Sequence, residues 1–399
     1  MNENNVKTEL MKAKEKYKAK KYEDAVDIYT TYYDSYLDEF TKWDNIFYAW
    51  SLYYSKIKNS KSLEELVENV ERITELVSQI DASKKSSACP YSLAIIEVMK
   101  NYSLKNKFGK VIQWAEKLDP DLLSKKSGES NGIRYASNRE KWYFYVSKAL
   151  LKVDEYEDAI FISKEALKDL DDFNGDNEIW FKYRIAQANK ELGNFDEALK
   201  YLNEIIDYKP EWYVQYEMAD NYFFKNDFDK SLDYAIKAAL NKGSVEMKTN
   251  LYSLISDLLE DKGMDKDANN HLYFIYALKK ERDYAIDESL KEQLKKEGYD
   301  LENTNSNKIE KELTMFWEDL KYSNLSPYTG VIVNILPNGK AGFIKPDSGG
   351  ENYYFSVYDF KDDNNLLKIG NKVSFFLEDG FDKKKNKKTK NAVNIKLIN

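Results

Sequence analysis

Ile179-Trp-Phe-Lys-Tyr-Arg-Ile-Ala-Gln-Ala-Asn-Lys-Glu-Leu-Gly193-Asn-Phe-Asp-Glu-Ala-Leu-Lys-Tyr-Leu-Asn-Glu-Ile-Ile-Asp-Tyr-Lys-Pro210 is the stretch that decides the fold. Its apolar residues recur at the helical period, first from Trp180 to Leu192 and again from Phe195 to Ile206. Gly193-Asn194 suits the left-handed residue that closes a helix, and Pro210 cannot continue one. The stretch is therefore a helix, a tight turn and a second helix. Each of the two helices carries a small residue, Ala186 in the first and Ala198 in the second.

Working outward, neighbouring segments repeat the pattern. Upstream lie Tyr143, Val146, Ser147, Leu150, Tyr156, Ala159 and Ala166. Downstream lie Trp212, Ala219, Tyr222, Phe228, Ser231 and Ala235, then Ile255, Ser256, Leu259, Gly263, Ala268 and Leu272. Ala13, Tyr22, Ala25 and Tyr29 open a further unit near the N-terminus. Lys42–Ile57 with Leu63–Ile80, and Pro90–Leu104 with Val111–Leu118, read as two more helix pairs whose repeat signature is weak. These units resemble tetratricopeptide repeats (TPRs). That resemblance implies an α-solenoid of helix pairs, each pair covering an apolar face its neighbour cannot bury alone. A last helix is expected around Glu310–Lys321, after the turn cluster Asn303-Thr-Asn-Ser-Asn.

Composition agrees. The chain has 399 residues, of which 42% are hydrophobic and 33% charged, with only 15 Gly and 6 Pro but 32 Tyr. So few turn formers cannot punctuate an all-β protein of this length. The length suits two or three domains of roughly 100–200 residues.

The texture changes at Leu325-Ser-Pro-Tyr. Short β-branched and aromatic runs follow: Gly330–Leu336, Lys340–Pro346, Asn352–Tyr358, Lys372–Glu378 and Asn391–Leu397. The expected division is 1–323 helical and 328–399 all-β. Lys340-Ala-Gly-Phe-Ile-Lys-Pro-Asp, Ser348-Gly-Gly-Glu-Asn-Tyr-Tyr-Phe-Ser-Val-Tyr, Leu367-Lys-Ile-Gly-Asn-Lys-Val-Ser-Phe-Phe-Leu-Glu and Ala392-Val-Asn-Ile follow Gly330-Val-Ile-Val in order. Nearly all of 328–399 thus resembles a cold-shock domain, implying a five-stranded OB-type barrel that binds single-stranded nucleic acid. The whole chain then reads as mainly α, a TPR-like solenoid followed by a small five-stranded OB/cold-shock barrel.

The resemblance assigns base stacking to Phe343 and Tyr354, with Lys340 and Lys345 beside them. The stacking positions of the family are otherwise replaced by Asn334, Ile335, Ala341, Ser356 and Val357. Tyr353 and Phe355 should point inward by strand alternation. Lys383, Lys384, Lys385, Lys387, Lys388 and Lys390 crowd the expected loop before the last strand. Such a loop either attracts phosphates or is simply solvated. The formal charge is −8, yet 328–399 carries 12 Lys against 8 acidic residues, so the body is acidic and the tail basic.

In the TPR arrangement the concave groove would be lined by Phe144, Lys148, Trp180, Tyr183, Gln187, Tyr213, Tyr216, Asp220 and Phe223. Trp180, Tyr183, Tyr213, Tyr216 and Phe223 would then receive a protein or peptide partner, or else pack as core. Nothing points to an enzyme. There is one His, His271, in a second-helix pattern, and one Cys, Cys89, ahead of Pro90. A disulfide within the chain and a Cys/His zinc centre are thereby excluded. The phosphate-loop pattern is missing, because Gly339-Lys340 is followed by Ala341. Asp257, Glu260 and Asp261 read as a solvated acidic face. No cofactor is expected. The N-terminus has no apolar signal core and no segment is long and apolar enough to span a membrane, so the expected location is the cytosol.

Two functions remain. One is an adaptor holding a protein partner in the solenoid and single-stranded RNA, or DNA, on the barrel. The other is a protein-interaction scaffold or peptide-responsive regulator whose barrel no longer binds nucleic acid.

Overall fold

The computed structural model describes residues 3–79, 89–323, 325–382 and 387–398. The chain divides into two compact units, Met1–Pro210 and Glu211–Asn399.

The first unit is a series of antiparallel helix pairs. They are α1 (Glu3–Lys18) with α2 (Tyr22–Tyr33), and α3 (Lys42–Leu52) with α4 (Leu63–Leu76). Then come α5 (Pro90–Leu104) with α6 (Phe108–Ala115), α7 (Asn138–Lys152) with α8 (Tyr156–Asp169), and α9 (Asn177–Glu191) with α10 (Phe195–Ile206). Four of these five turns share one device, the α3–α4 turn being the exception. Lys20, Asn106, Asp154 and Gly193 each adopt a positive φ just after the first helix of a pair. The following N–H then reaches back along the helix, Lys21 to the Lys16 carbonyl at 2.9 Å and Asn194 to the Asn189 carbonyl at 2.8 Å. This satisfies carbonyls the helix end leaves open. Ala25, Ala159, Ala186 and Ala198 are buried where helices meet, as their size requires. Tyr29 and Tyr48 stack at 5.2 Å in the core with Ile73, Ile95 and Met99.

Two features were not visible in the sequence. The end of α3 runs on as a π-helical turn, Tyr53–Ile57. A short exposed hairpin, β1 (Gly128–Ser130) with β2 (Ile133–Tyr135), separates α6 from α7, turning at Asn131-Gly132 with positive φ at both.

In the second unit, α11 (Trp212–Phe224) pairs with α12 (Phe228–Leu240), and α13 (Thr249–Asp261) with α14 (Asp265–Glu281). Asn226 and Gly263 supply the same left-handed turn residue. The Ser231 hydroxyl donates to the Ala219 carbonyl at 2.8 Å, and Ser256 to the Ala268 carbonyl at 3.0 Å, so each crossing is hydrogen-bonded as well as close. After α15 (Glu288–Lys296), α16 (Ser306–Tyr322) lays Ile309, Leu313 and Trp317 into the core of α12–α14. The expected last helix is thus longer at its N-terminal end than Glu310–Lys321.

Five strands complete this unit: β3 (Tyr328–Ile335), β4 (Ala341–Pro346), β5 (Tyr353–Ser356), β6 (Lys372–Asp382) and β7 (Lys387–Leu397). The sheet order is β3-β4-β5-β7-β6, and β6 also pairs with β3. All pairings are antiparallel except β5–β7, which consists of the single pair Tyr354–Asn391. Ile332, Ile344, Phe355, Val373, Phe375, Ala392 and Ile395 close the core. Gly342 is dictated by contact: a Cβ there would stand 2.4 Å from the Asn334 carbonyl oxygen and 2.6 Å from the Phe355 ring.

The expected lysine loop is corrected here. Lys387 and Lys388 belong to β7, in register with Asp382 and Phe381, and Lys390 lies opposite Asp379. The hairpin is longer than its sequence suggests because β6 continues through Asp382, carrying the lysines with it as a paired strand. Lys383, Lys384 and Lys385 lie outside the described residues.

Candidate functional site

The outward face of β3, β4 and β5 is the first candidate. Register brings Asn334, Phe343, Tyr354 and Asn391 into one row across four strands. Phe343 and Tyr354 meet edge to face at 5.9 Å and 74°. Tyr354 is 39% exposed, and the Lys340 and Lys345 side chains are exposed beside the row. Phe355 is fully buried and Tyr353 half-buried against the sheet core, as alternation requires. Ala341 is buried and Ser356 half-buried, so the row offers two rings and two carboxamides. Tyr358, in the turn after β5 and outside that register, is 86% exposed.

The β6–β7 side of the same sheet is occupied by α16. Tyr322 stacks on Phe376 at 4.5 Å and 16°, and its hydroxyl donates to Glu378 at 2.5 Å. Lys321 pairs with Glu378, Lys361 with Glu318 at 2.7 Å, and Lys396 with Asp319 at 3.4 Å. Burial alone would raise the Glu378 carboxyl, but hydrogen bonds from Lys321 and Tyr322 hold it below the ordinary range. Lys390 is matched by Asp379 at 2.6 Å, which removes one of the six lysines from any unshared positive field.

The helical faces supply the second candidate, one part in each unit. In the first, Trp180 meets Tyr183 edge-on at 5.8 Å, and Lys209 lies 5.6 Å over Trp180. Trp180 is half-buried, whereas Tyr183 is buried at 9% exposed and stands largely within the packed face. On the neighbouring helix, Phe144 carries the Arg184 guanidinium 4.2 Å from its ring centre. Arg184 is the residue the sequence reading missed. It is buried, touches Phe181 at 5.7 Å and donates to Ser147 at 3.1 Å. Burial pushes its pKa down to about 9, so it stays charged at neutral pH. A charge in mid-helix reads as solvated, so no sequence signal marked it. Lys148 is also lowered, by burial and then by the Arg184 charge. In the second unit Tyr213, Tyr216 and Phe223 are half-buried along α11, and Phe223 packs on Phe228 at 5.5 Å.

The residues weighed as chemical groups are built into the fold. His271 is fully buried in α14; its Nε2 accepts from the Trp317 indole at 2.7 Å and its Nδ1 contacts the Asp267 carbonyl at 2.7 Å. With Nε2 accepting, the proton sits on Nδ1 and the ring is neutral. Burial lowers its pKa to about 4. Cys89 is buried and its thiol is pushed up by desolvation, the opposite of an activated nucleophile. Asp257, Glu260 and Asp261, by contrast, lie exposed on α13, with the Asp257 carboxyl raised by partial desolvation and then by the Glu260 charge. Among the described residues no group of three His, Cys, Asp or Glu side chains is arranged to hold a metal ion. Among them no helix is long and apolar enough to cross a membrane.

A family model described as "Domain of unknown function (DUF7017)" matches residues 179–315, from α9 into α16. No curated protein matches the chain. Solved structures similar to it include MamA (41-end) from Desulfovibrio magneticus RS-1, 13% identical, covering 48% of this chain and 97% of that one with a TM-score of 0.37. A tetratricopeptide repeat protein from Parabacteroides merdae is 16% identical over 69% of this chain and 97% of its own, TM-score 0.37. BtubC (BKLC) from P. vanneervenii is 14% identical over 64% and 96%, TM-score 0.36.

Proposed function

We propose that this chain is a non-enzymatic protein-interaction scaffold working in the reducing cytosol. One observation carries the reading: successive helix pairs complete their cores with small crossing residues while large rings stay only half-buried on first-helix faces. Trp180 on α9 and Tyr213, Tyr216 and Phe223 on α11 are such rings, and rings of this kind anchor peptide and helix partners. The test is affinity capture with cross-linking from source extract. Trp180→Glu, Tyr216→Glu and Phe223→Glu should each lose captured partners while the melting temperature holds. A collapse of the melting temperature in all three would make these rings core and sink the reading.

A second reading is favoured by the Asn334–Phe343–Tyr354–Asn391 row. It takes the five strands as an OB-type barrel of the cold-shock kind, with single-stranded RNA or DNA stacking on Phe343 and Tyr354 and phosphates near Lys340 and Lys345. Removing both rings by alanine should weaken binding by ~1–3 kcal/mol per stacked base at every salt concentration. Neutralising Lys340 and Lys345 should instead flatten the salt dependence. Absence of binding to any short single strand at low salt would leave the scaffold alone.

A further inference from the structure

Arginine is rare in this chain: five of its 61 Lys and Arg residues are Arg. Four of those five are matched by carboxylates. Arg72 pairs with Asp34 at 3.2 Å, Arg139 with Asp169 at 2.7 Å and Arg282 with Glu246 at 2.6 Å, and Arg134 pairs with Asp172. The fifth, Arg184, is the most buried of them, yet among the described residues it forms no ion pair within 4.0 Å. A buried charge ordinarily has its counter-ion beside it.

The Arg184 guanidinium reaches from α9 to α7, where it lies 4.2 Å from the Phe144 ring centre. Of its nitrogens only Nη1 is engaged, donating to the Ser147 hydroxyl at 3.1 Å. That hydroxyl spends its own proton on the Tyr143 carbonyl at 2.7 Å, so it accepts a hydrogen bond and brings no negative charge. Nε–H and the adjacent Nη2–H are left as two parallel donors on one edge. This is the fork that matches the two oxygens of a carboxylate or a phosphoryl group.

Neighbouring charges do not supply the missing anion. α7 and α9 together carry seven cations and three carboxylates. Each carboxylate is engaged elsewhere. Glu140 accepts from the Asn174 N–H at 2.8 Å and the Asn177 side chain at 2.7 Å, Glu178 pairs with Lys182 at 3.0 Å, and Glu191 lies 3.7 Å from Lys190. On α5, Glu97 is held by Lys100 at 2.9 Å. Lys148, next to Ser147 on α7, is half-buried and among the described residues forms no ion pair either. Its ammonium lies 5.6 Å over the Phe108 ring. Burial lowers its pKa, and so do the Arg184 and Lys152 charges, both positive.

We propose that Arg184 and Lys148 form an oxyanion subsite on the α7–α9 face, which receives a carboxylate or phosphoryl group on a side chain of a bound protein segment. The inference rests on the scaffold reading and adds the chemistry its partner must carry: Trp180 stands one helical turn before Arg184. Arg184 is 5% exposed, so access is narrow and suits the tip of one side chain rather than a polymer backbone laid along the helices. The bound oxyanion gains from the fork and ends an unrelieved repulsion between two cations.

The test uses the full chain labelled with heavy-nitrogen arginine and follows the side-chain Nε–H signals of its five Arg residues. Arg184→Lys keeps the charge and removes the fork, and the signal it deletes is that of Arg184. The probes are sodium acetate and sodium phosphate, with chloride at matched ionic strength as reference. The Arg184 signal should move saturably with acetate or phosphate and stay still in chloride, while the signals of the paired arginines do not follow. Tighter binding of acetate assigns the subsite to a carboxylate side chain, and tighter binding of phosphate to a phosphorylated one. Lys148→Met should weaken the titration severalfold with an unchanged melting curve, and the parent titration decides the matter even where that variant melts earlier. An Arg184 signal indifferent to both oxyanions, or moved equally by chloride, would overturn the proposal, as would a folded Lys148→Met variant that titrates like the parent. If no oxyanion binds while Trp180→Glu still loses captured partners, this subsite falls and the scaffold stands. Oxyanion binding with no partner captured keeps the subsite and removes the scaffold.

Discussion

Lys20 is a lysine where the backbone asks for glycine. Its φ of 59° closes the α1 turn by the same device as Gly193 at 76° in the α9 turn. A side chain in that conformation costs about 1–2 kcal/mol, partly offset by the greater unfolded-state freedom of glycine. Lys20→Gly should therefore stabilise the protein by up to roughly 1 kcal/mol, read as a higher melting temperature, and Asp154→Gly should act likewise. His271 gives a residue-scale prediction of opposite sense. Its native pKa of about 4 lies below the ordinary 6.5. Between those values the unfolded chain holds a proton that the native chain refuses, so stability falls as the pH drops through this window. The loss approaches roughly 3 kcal/mol near pH 4 and then levels off. Denaturant titrations from pH 4 to 7 should show this slope in the parent and a shallower one in His271→Gln. Equal slopes would mean that carboxylates alone govern acid stability.

At the scale of elements, what could be read from sequence tracks how local its cause is. In the α9–α10 pair, α10 was legible to the residue and α9 all but its first turn, because Gly193 and Pro210 state the turn and the end in the chain itself. Other pairs hide the same turn behind Lys20, Asn106 or Asn226, so periodicity alone had to find them. The strands were legible where alternation is strict, as at Tyr353–Ser356. Lys387–Lys390 was not, because a lysine run carries no apolar alternation and is held as strand only by its partner β6. The π-helical turn at Tyr53–Ile57 and the burial of Arg184 depend on neighbouring helices, and nothing local announces them. The aromatic row was visible through Phe343 and Tyr354, while the place of Asn391 beside Tyr354 depends on the β5–β7 pairing and is not announced locally. One element-scale prediction follows from Gly342. Gly342→Ala places a methyl group against the β3 backbone and should destabilise the sheet by about 1–3 kcal/mol. Gly339→Ala is a control of a different kind: no atom lies within 4 Å of its added Cβ, and its cost should come only from a φ of 66°.

For the whole molecule, the division suggested by sequence at residues 323 and 328 crosses a fastened joint. The Tyr322–Phe376 stack, the Glu378 hydrogen bond and the ion pairs of Glu318 and Asp319 tie α16 to the sheet. We expect protease to cut at exposed Leu325–Pro327, yet the fragment starting near Tyr328 should co-elute with the helical part on gel filtration. Higher salt should loosen it only partly, because the stack and the hydrogen bond survive screening while exposed ion pairs are worth about 0–1 kcal/mol each. Immediate separation at low salt would instead support two independent domains.

The five strands are not equally committed to their sheet. β6 and β7 share a long ladder, whereas β5 meets β7 only at Tyr354–Asn391, with the isolated Phe360–Ile395 contact beyond it. Thermal breathing will follow that seam. Amide protons at the seam should exchange with deuterium ahead of those in the middle of the β6–β7 ladder, since local opening there breaks few bonds. Tyr354 belongs to both the seam and the aromatic row. A ligand gripping that row would therefore stitch the weakest line of the sheet, and its arrival would be recorded as slowed exchange at Tyr354 and Asn391.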